Sequence, residues 1–372
     1  MGGSSVTNMS NNLPSSEKRK PIRRIFCLKQ GIHYKRYLKE MWGLGIRPIK
    51  ILNHLKMVVG EYLPDRFAQS LDSHPDVEYT EPDIRVTITE PYIGSITSLE
   101  PTLPWGVKRI QAAKTWKVTQ GQKVRIAVID TGIYNEHPAI KENYRGGVNI
   151  LSPYFPPHDY NGHGTHVAGI IAGSATDLGV IGVAPRTHIY AVKAFNRKGN
   201  ANLSDLLTAI NWCIENKMQV VNMSFGMDKM SEVLRLAIQT AHQKGLIMVA
   251  AAGNRGLSTQ IDYPARYPET IAVTSISNND HISSFSNRGK GIDVAAPGEK
   301  IPSAWLNNTV REMSGTSMAV PHVVGTAALL LYLQKKLNPE QVRYILMQTA
   351  HKKDEEIGII DAYKAVNLLS RI

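Results

Sequence analysis

The segment Gly-Thr-Ser-Met-Ala-Val-Pro-His at residues 315–322 decides the fold prediction, because it joins a small-residue turn to a long apolar run. That run, Val-Val-Gly-Thr-Ala-Ala-Leu-Leu-Leu at residues 323–331, predicts a buried helix. Ser317 would lie at the N-terminus of the helix, where backbone N–H groups and the helix dipole favour developing negative charge. The position suits a nucleophile whose reaction passes through an oxyanion. The same octapeptide is also compatible with a capped core helix of no catalytic role.

Upstream of this segment, apolar runs alternate with helical patterns. The runs that are typical of buried parallel strands are residues 124–129, 220–221, 246–251 and 271–273. One apolar stripe at helical spacing is formed by Leu203, Leu206, Leu207, Ile210 and Ile214. The alternation predicts an α/β fold, a doubly wound and mostly parallel sheet with helices on both faces. Active sites in such sheets lie at the carboxyl ends of the strands.

Polar residues follow two of the predicted strands or begin a predicted helix. Asp130 comes directly after the first run, where a carboxylate can orient an imidazole or cap a turn. His163 lies between two glycines in Asn-Gly-His-Gly-Thr-His-Val-Ala-Gly, at the predicted start of a helix, exposed on one side and able to exchange protons. His166 has no third ligand nearby, so we expect a hydrogen-bonded core histidine and no metal site. Asn254 ends a third strand, where its amide N–H groups can reach an oxyanion, although Gly-Asn is also a common turn.

Four motifs follow one another in the chain: Asp-Thr-Gly from Asp130, His-Gly-Thr-His-Val-Ala-Gly from His163, Ala-Ala-Gly-Asn ending at Asn254, and Gly-Thr-Ser-Met-Ala around Ser317. Their order and spacing resemble the subtilisin family of serine proteases over roughly residues 103–372. The resemblance implies that Ser317 attacks the scissile carbonyl, His163 accepts and returns the proton, Asp130 holds the imidazole and Asn254 donates to the oxyanion.

Two other functions are compatible with such a fold. A peptide-binding scaffold without catalysis is expected to have lost at least one of the four motif residues, and all four are present. A hydrolase of esters or lipids would need an apolar lid, and no such insertion is evident. We therefore expect a serine endopeptidase that works through an acyl-enzyme.

Two further segments are predicted to bind the substrate. Ser224, Phe225 and Gly226 match the edge segment with which the family pairs an extended substrate by strand addition. Asp262 stands where the family usually has a small residue of the first specificity pocket, and a carboxylate there favours lysine or arginine in the substrate. Arg255 could pair with Asp262 and cancel that preference, or the two could form a surface pair beside a broad apolar pocket.

The chain in front of the protease-like part has its own pattern. Residues 1–20 are polar and predict a disordered tail. Residues 21–88 predict a strand at 22–28, a helix at 34–42, strands at 49–55 and 57–63, a helix at 64–73 and a strand at 77–88. This β-α-β-β-α-β order predicts a small α+β ferredoxin-like module. Residues 89–104 predict an exposed linker before a catalytic domain at 105–372.

The module ends in Asp-Val-Glu-Tyr-Thr-Glu-Pro-Asp at residues 76–83, which resembles the end of subtilisin propeptides. The resemblance implies an intramolecular partner that assists folding and then inhibits, with its tail in the substrate cleft and a processing site between about 88 and 102. The alternative is a permanently attached accessory domain without an inhibitory role.

No cofactor is expected for the chemistry, and no metal ligand is assigned. Many subtilisins bind calcium, but the matching positions here, Pro101, Ala139 and Thr176, offer no carboxylate, and Asp177 supplies only one. Structural calcium is therefore expected to be weak or absent.

The composition of the chain indicates which classes of partner and which cellular location to expect. The net charge of +12 is spread, with 14 basic and 11 acidic residues in 1–104 and 29 and 20 in 105–372, so a nucleic-acid-binding arm is not expected. Cys27 and Cys213 fall in different predicted domains and predict no disulfide framework. The N-terminus lacks an apolar core of signal-peptide length, and no apolar run is expected to span a membrane. We expect polypeptide substrates, no membrane partner and a cytoplasmic location, with secretion by a non-standard route as the alternative.

Overall fold

The computed structural model describes residues 20–32, 34–63, 74–88, 92–96, 103–175, 177–352 and 357–370. In chain order its strands are β1 Ile22–Leu28, β2 Arg47–Leu52, β3 Met57–Tyr62, β4 Val77–Pro82, β5 Arg85–Ile88, β6 Tyr92–Ile96, β7 Arg125–Asp130, β8 Tyr144–Asn149, β9 Ser174–Ala175, β10 Val180–Ile181, β11 His188–Lys193, β12 Asn200–Asn202, β13 Val220–Met223, β14 Phe225–Gly226, β15 Ile247–Ala251, β16 Ile271–Ile276, β17 Val294–Pro297, β18 Ile301–Ala304 and β19 Val310–Ser314. The helices are α1 Tyr34–Gly43, α2 Trp105–Arg109, α3 His163–Ala172, α4 Leu203–Glu215, α5 Glu232–Gln243, α6 Thr316–Leu333, α7 Pro339–Thr349 and α8 Ala362–Leu369.

The larger part of the chain is built on a seven-stranded sheet. Its order is β17-β16-β15-β13-β7-β11-β8, and every neighbouring pair is parallel. Along β7, Ile126 and Val128 face one buried cluster with α3 and α6, while Ala127 and Ile129 face a second cluster with α4 and α5. Because both faces of the sheet are covered, its strands are apolar without interruption. The predicted doubly wound α/β fold is confirmed.

The long apolar helix α6 lies at the centre of the first cluster. By length and composition it is the one helix among the described ranges that could cross a membrane, but 89% of its 18-residue window is buried inside the fold. A helix that is apolar all round and enclosed by protein is a core helix. Its burial holds the N-terminal turn, with Ser317, against the carboxyl edge of the sheet.

The N-terminal unit is a four-stranded antiparallel sheet in the order β2-β3-β1-β4, with α1 on one face. Alternation along β1 gives the sheet two apolar faces. Phe26 and Leu28 pack in the cluster that contains α1, whereas Ile25 and Cys27 pack in the cluster that contains α4 and α5. This order agrees with the predicted ferredoxin-like module, and the helix predicted at 64–73 lies outside the described residues.

The strand predicted at the end of this unit was wrong, and the exposed linker predicted after it stays a prediction. The strand predicted at 77–88 is two strands, because β4 ends at Pro82, which has no N–H for the ladder, and β5 pairs elsewhere. β5 lies between β12 and β14 of the larger unit and is antiparallel to both. Strand β6 lies within the predicted linker. It pairs antiparallel with β19 on the side that β18 leaves open.

Candidate active site

Asp130 and His163 form a buried pair at the carboxyl edge of the central sheet. Asp130 is the last residue of β7, and His163 is the first residue of α3. The Nδ1 atom of His163 lies 2.7 Å and 2.9 Å from the two carboxylate oxygens of Asp130. Because the carboxylate accepts from Nδ1–H, the lone pair of the imidazole is left on Nε2. Nε2 is buried and has no hydrogen-bond partner within the part of the chain that the structure describes.

His163 is 1% exposed, so the prediction of a partly exposed imidazole was wrong. The turn before it is tightly packed: Gly162 has φ +107°, and a Cβ there would meet the Trp305 indole at 2.4 Å. Glycine is required at this position both by its backbone conformation and by the approach of the indole.

The carboxylate of Asp159 shapes this turn and was not singled out from the sequence. Its Oδ1 accepts from the backbone N–H groups of Asn161 and Gly162, and its Oδ2 accepts from the backbone and the hydroxyl of Thr165. An aspartate that bonds backbone groups two and three residues on is an Asx-type turn. The short spacing from Asp159 to the helix start was the sequence signal that could have revealed it.

Lys193 is a second residue that the sequence reasoning missed. It ends β11 directly opposite Asp130 in the parallel ladder, and its Nζ donates to the carbonyl of Thr131. Burial lowers the pKa of this amine, whereas the charges of Asp159 and Asp130 raise it. The ammonium therefore balances the two buried carboxylates beside the imidazole.

Ser317 reaches the same edge from α6, where it is the second residue. Its hydroxyl donates to the carbonyl of Ser224 at 3.2 Å, and the Ser224 hydroxyl donates to the carbonyl of Ser317 at 3.1 Å. Ser224 follows β13, whose last residue, Met223, is opposite Ile129. Ser224 thus lies beside Asp130 in register, and Ser317 is held at the strand ends that carry the Asp130–His163 pair.

Asn254 is oriented by the first residue of α6. Its Oδ1 accepts from the backbone N–H of Thr316 at 2.9 Å and from the Thr316 hydroxyl at 2.8 Å. With its oxygen held on that side, the planar amide directs its N–H groups away from Thr316. Asn254 also lines a cleft, so this amide is a hydrogen-bond donor at the cleft wall.

The cleft beside these residues has a volume of about 620 Å³, and part of its lining comes from the chain's own N-terminal residues. It is lined by Arg85, Val86, Thr87, Ile88, Tyr92, Gly226, Met227, Asp228, Asn254, Arg255 and Asp262. Phe225 and Gly226, predicted to bind substrate, pair with Ile88 and Thr87 of β5. The edge predicted to accept an extended substrate is therefore occupied by a strand of this chain.

Asp262 lies in the cleft as a paired and buried carboxylate. Its Oδ1 is 2.5 Å from Nη2 of Arg255 and 3.2 Å from Nδ2 of Asn287. Asp262 is 7% exposed, so a surface location for this carboxylate is wrong, while its pairing with Arg255 is present. Burial raises the pKa of the Asp262 carboxyl, and the hydrogen bond from Arg255 opposes that rise.

His166 is a core histidine, as predicted. Its Nε2 lies 3.0 Å and 2.9 Å from the carbonyls of Ile301 and Arg311, and burial lowers its pKa to about 3. It therefore stays neutral and structural.

The calcium prediction remains a prediction. Pro101 and Thr176 lie outside the described residues, and Ala139 is buried with its carbonyl accepting from Ser174. In the N-terminal unit Glu40, His74 and Asp76 bring three oxygen or nitrogen ligands together, but Arg36 pairs with both carboxylates.

The sequence model of the subtilase family, peptidase S8, matches residues 121–364, which span the strands, helices and site described above. The chain belongs to the subtilase family. A thermostable alkaline protease of Halalkalibacterium halodurans is 37% identical over 294 residues, 79% of this chain and 77% of that protein. Subtilisin BL of Lederbergia lenta is 40% identical over 250 residues, 67% and 91% of the two chains. Subtilisin E of Bacillus subtilis is 39% identical over 293 residues, 77% and 74%. This subtilase is a serine endopeptidase.

Proposed function

We propose that this subtilase hydrolyses peptide bonds through Asp130, His163 and Ser317, and that it is made as a self-inhibited precursor that processes itself. The observation that carries the first part is the buried imidazole, which bonds Asp130 through Nδ1 and keeps the lone pair of Nε2 at the strand ends where Ser317 lies. The observation that carries the second is β5, which occupies the edge strand β14 beside the serine.

The reaction follows from these groups. Rotation about its Cα–Cβ bond moves the Ser317 hydroxyl from the Ser224 carbonyl to Nε2 of His163. The oxygen then attacks the scissile carbonyl carbon as its proton passes to Nε2. The resulting oxyanion accepts from the side-chain amide of Asn254 and the backbone N–H of Ser317 at the N-terminus of α6. Collapse breaks the C–N bond, and His163 gives its proton to the leaving amine.

The acyl-enzyme is hydrolysed by the same groups. His163 takes a proton from water, the hydroxide attacks the ester carbon, and the proton returns to Ser317 as the acid product leaves. Through both halves Asp130 holds the imidazole in one tautomer and stabilises the imidazolium. Lys193 and Asp159 act through these residues, by balancing charge and by fixing the turn before His163.

Loss of the Asn254 amide is expected to slow the chemical step. Asn254→Ala should lower kcat by about 10²–10³-fold, the range found for the corresponding change in a subtilisin, with little change in KM. The reason is that the oxyanion exists only in the transition state. Steady-state kinetics on a peptide anilide measures both constants. Thr316→Val is the matched control: it removes one of the two bonds to Oδ1 but keeps the donor, so a smaller loss is expected. An unchanged kcat for Asn254→Ala would remove this residue from the mechanism.

The N-terminal unit is joined to the protease by helix caps as well as by β5. Both carboxylate oxygens of Asp83 accept from Ser204, one from its backbone N–H at 2.8 Å and one from its hydroxyl at 2.7 Å, at the start of α4. Oε2 of Glu81 accepts from the backbone N–H of Val233 at 3.1 Å, at the start of α5. Negative charge at two helix N-termini is stabilising, so these contacts support an inhibitor that docks on both helices.

The two helix caps predict a measurable contribution to the stability of the docked N-terminal unit. In the uncleavable Ser317→Ala chain, combining Glu81→Gln with Asp83→Asn should lower the free energy of unfolding of the docked unit by about 1–4 kcal/mol. The measurement is the urea midpoint of its unfolding transition. Glu78→Gln is the control, because Glu78 is exposed on the same strand. A midpoint equal to that of the Glu78 control would show that the caps do not hold the unit.

The processing site is bracketed by described residues. Ile88 is opposite Phe225, the neighbour of Ser224, and Tyr92 is opposite Ser314, three positions before Ser317. Both described pairings lie near the serine, the first through Ser224, which bonds Ser317, and the second through Ser314. This supports a cut within residues 88–92, a narrower interval than the predicted 88–102.

Self-processing is tested on the full chain. Purified protein followed by intact mass is expected to lose its N-terminal segment at a bond within 88–92, and a serine-directed phosphonate should label Ser317 in the product. A folded, intact chain that takes no label would point to a peptide-binding scaffold instead. A cytoplasmic location stays a prediction from the sequence.

A further inference from the structure

A second cleft lies at the amino ends of the central strands. Helix α6 begins at the carboxyl edge of the sheet with Ser317 and runs to this opposite edge, where α4 and α5 also end. The cleft has a volume of about 440 Å³, which is within the range of small-molecule sites. It is separate from the cleft that contains the candidate active site, and the two share no lining residue.

The interior of this cleft is apolar. Its buried lining comes from the end of α4, the turn that follows it, the entry to β15 and the last turns of α6. The residues are Ile214, Met218, Leu246, Ile247 and Leu331, all between 1% and 8% exposed. Such an interior favours a hydrocarbon group over water.

The rim of the cleft is positively charged. Lys217, Lys244 and Lys335 are exposed lining residues, one after each of the three helices. Within the described part of the chain their ammonium groups have no hydrogen-bond or ion-pair partner. Glu215 is the one carboxylate that the described lining contributes. A lysine after a helix C-terminus is favoured by the helix dipole, and here three such cations surround one apolar cavity.

The N-terminal unit forms part of the wall. His54 lies in the turn between β2 and β3, and it lines the cleft beside residues of the protease part. Its backbone N–H donates to Oδ1 of Asn211 on α4 at 3.0 Å. The adjacent Leu55 is buried in the cluster that contains α4 and α5. The cleft is therefore complete only while the two units are docked.

We propose that this cleft binds a small amphipathic anion, a carboxylate on a medium-length hydrocarbon chain, and that the bound anion favours docking of the N-terminal unit. The apolar interior holds the hydrocarbon, and the ammonium groups at the rim bind the carboxylate. A ligand that contacts both units binds the docked chain more tightly than the separated units, so it stabilises the docked state. The site does not depend on the proposed catalytic residues, which lie at the other edge of the sheet.

The test is titration calorimetry of the full Ser317→Ala chain with decanoate, at concentrations below those at which decanoate forms micelles. We expect one site per chain with a Kd of about 10 µM to 1 mM. Octanoate is two methylenes shorter and should bind about tenfold more weakly. Acetate, which has no hydrocarbon chain, should give no measurable binding. The decyltrimethylammonium cation has a chain of the same length and the opposite charge, and it should bind at least about tenfold more weakly than decanoate.

A variant of the rim tests the charge. Combining Lys217→Gln, Lys244→Gln and Lys335→Gln should weaken decanoate binding by about tenfold, because three exposed cations each contribute a modest attraction. The three side chains are exposed, so the variant is expected to fold.

The matched control makes the same change in net charge elsewhere on the surface. It combines Lys141→Gln, Lys290→Gln and Lys336→Gln, three exposed lysines that do not line the cleft. Lys336 directly follows Lys335, so it is a close test of position. The control should bind decanoate with an affinity within about twofold of that of the parent chain.

The contribution of the N-terminal unit is tested by His54→Ala. The backbone bond to Asn211 is kept, and only the side chain that lines the cleft is removed. The affinity for decanoate should fall by about two- to fivefold. Decanoate at ten times its Kd should raise the urea midpoint of the docked unit in the parent chain, and by less in His54→Ala.

Three results would overturn the binding site: no saturable site for decanoate, equal affinity for decanoate and the decyltrimethylammonium cation, or equal losses of affinity in the two triple variants. Lysines that serve only to stabilise helix ends would give the first result. Unchanged affinity and an unchanged midpoint shift in His54→Ala would overturn the link to docking.

Discussion

Ser317→Ala should leave a folded protein that neither cleaves peptides nor processes itself. The expected loss is about 10⁶-fold in kcat, the size found when the corresponding serine of a subtilisin is removed. The reason is that the hydroxyl supplies the bond-forming oxygen and no neighbouring group can replace it. Peptide anilide hydrolysis measures the loss in the catalytic step, and intact mass of the full chain measures the loss of processing.

The folded state of Ser317→Ala is expected to be close to that of the wild type. The Ser317 hydroxyl donates to the Ser224 carbonyl, and a hydrogen bond of this kind contributes about 1 kcal/mol to stability, so the variant should remain folded. Ser283→Ala is a suitable control, since it removes another buried hydroxyl of the same unit, bonded to Ser275, without touching the cleft. Processing of the Ser317→Ala chain at the wild-type rate, in protein free of other proteases, would contradict the mechanism.

Asp130→Asn is expected to lower kcat by about 10⁴-fold while substrate binding changes little. Asp130 accepts from Nδ1 of His163 through both oxygens, and it also accepts from the Thr131 backbone. An asparagine has only one acceptor oxygen. When that oxygen bonds Thr131, the amide N–H₂ faces Nδ1 and favours the tautomer that carries its proton on Nε2. Ser317 would then lose its base.

Kinetics and phosphonate labelling together measure this effect. The rate of labelling should fall with kcat, because it needs the same base, whereas KM should stay near the wild-type value. Asp280→Asn is the control: Asp280 forms a partly buried ion pair with Arg109 at 2.6 Å outside the cleft, so its loss affects stability without affecting the imidazole. If Asp130→Asn kept kcat within about tenfold of the wild type, the tautomer argument would be wrong.

The sequence by itself predicted four residues of the candidate site, Asp130, His163, Asn254 and Ser317, and it determined the class of the fold. The apolar strand that ends at Asp130, the apolar strand that precedes Asn254 and the helix that has Ser317 in its first turn are local patterns. A parallel sheet brings such strand ends to one edge. For the same reason the positions of the first strand and helix of the N-terminal unit followed from the periodicity of residues 22–43.

Only the tertiary structure shows which strands pair with the short strand β5 and which groups pair with the buried charged side chains. β5 has four residues and no strong pattern of its own, and its place between β12 and β14 depends on two open strand edges far away in sequence. The partners of Lys193 and the burial of Asp262 under Arg255 also required the folded chain. Periodicity and turn residues are encoded locally, whereas open edges and buried charges acquire partners only when distant parts of the chain meet.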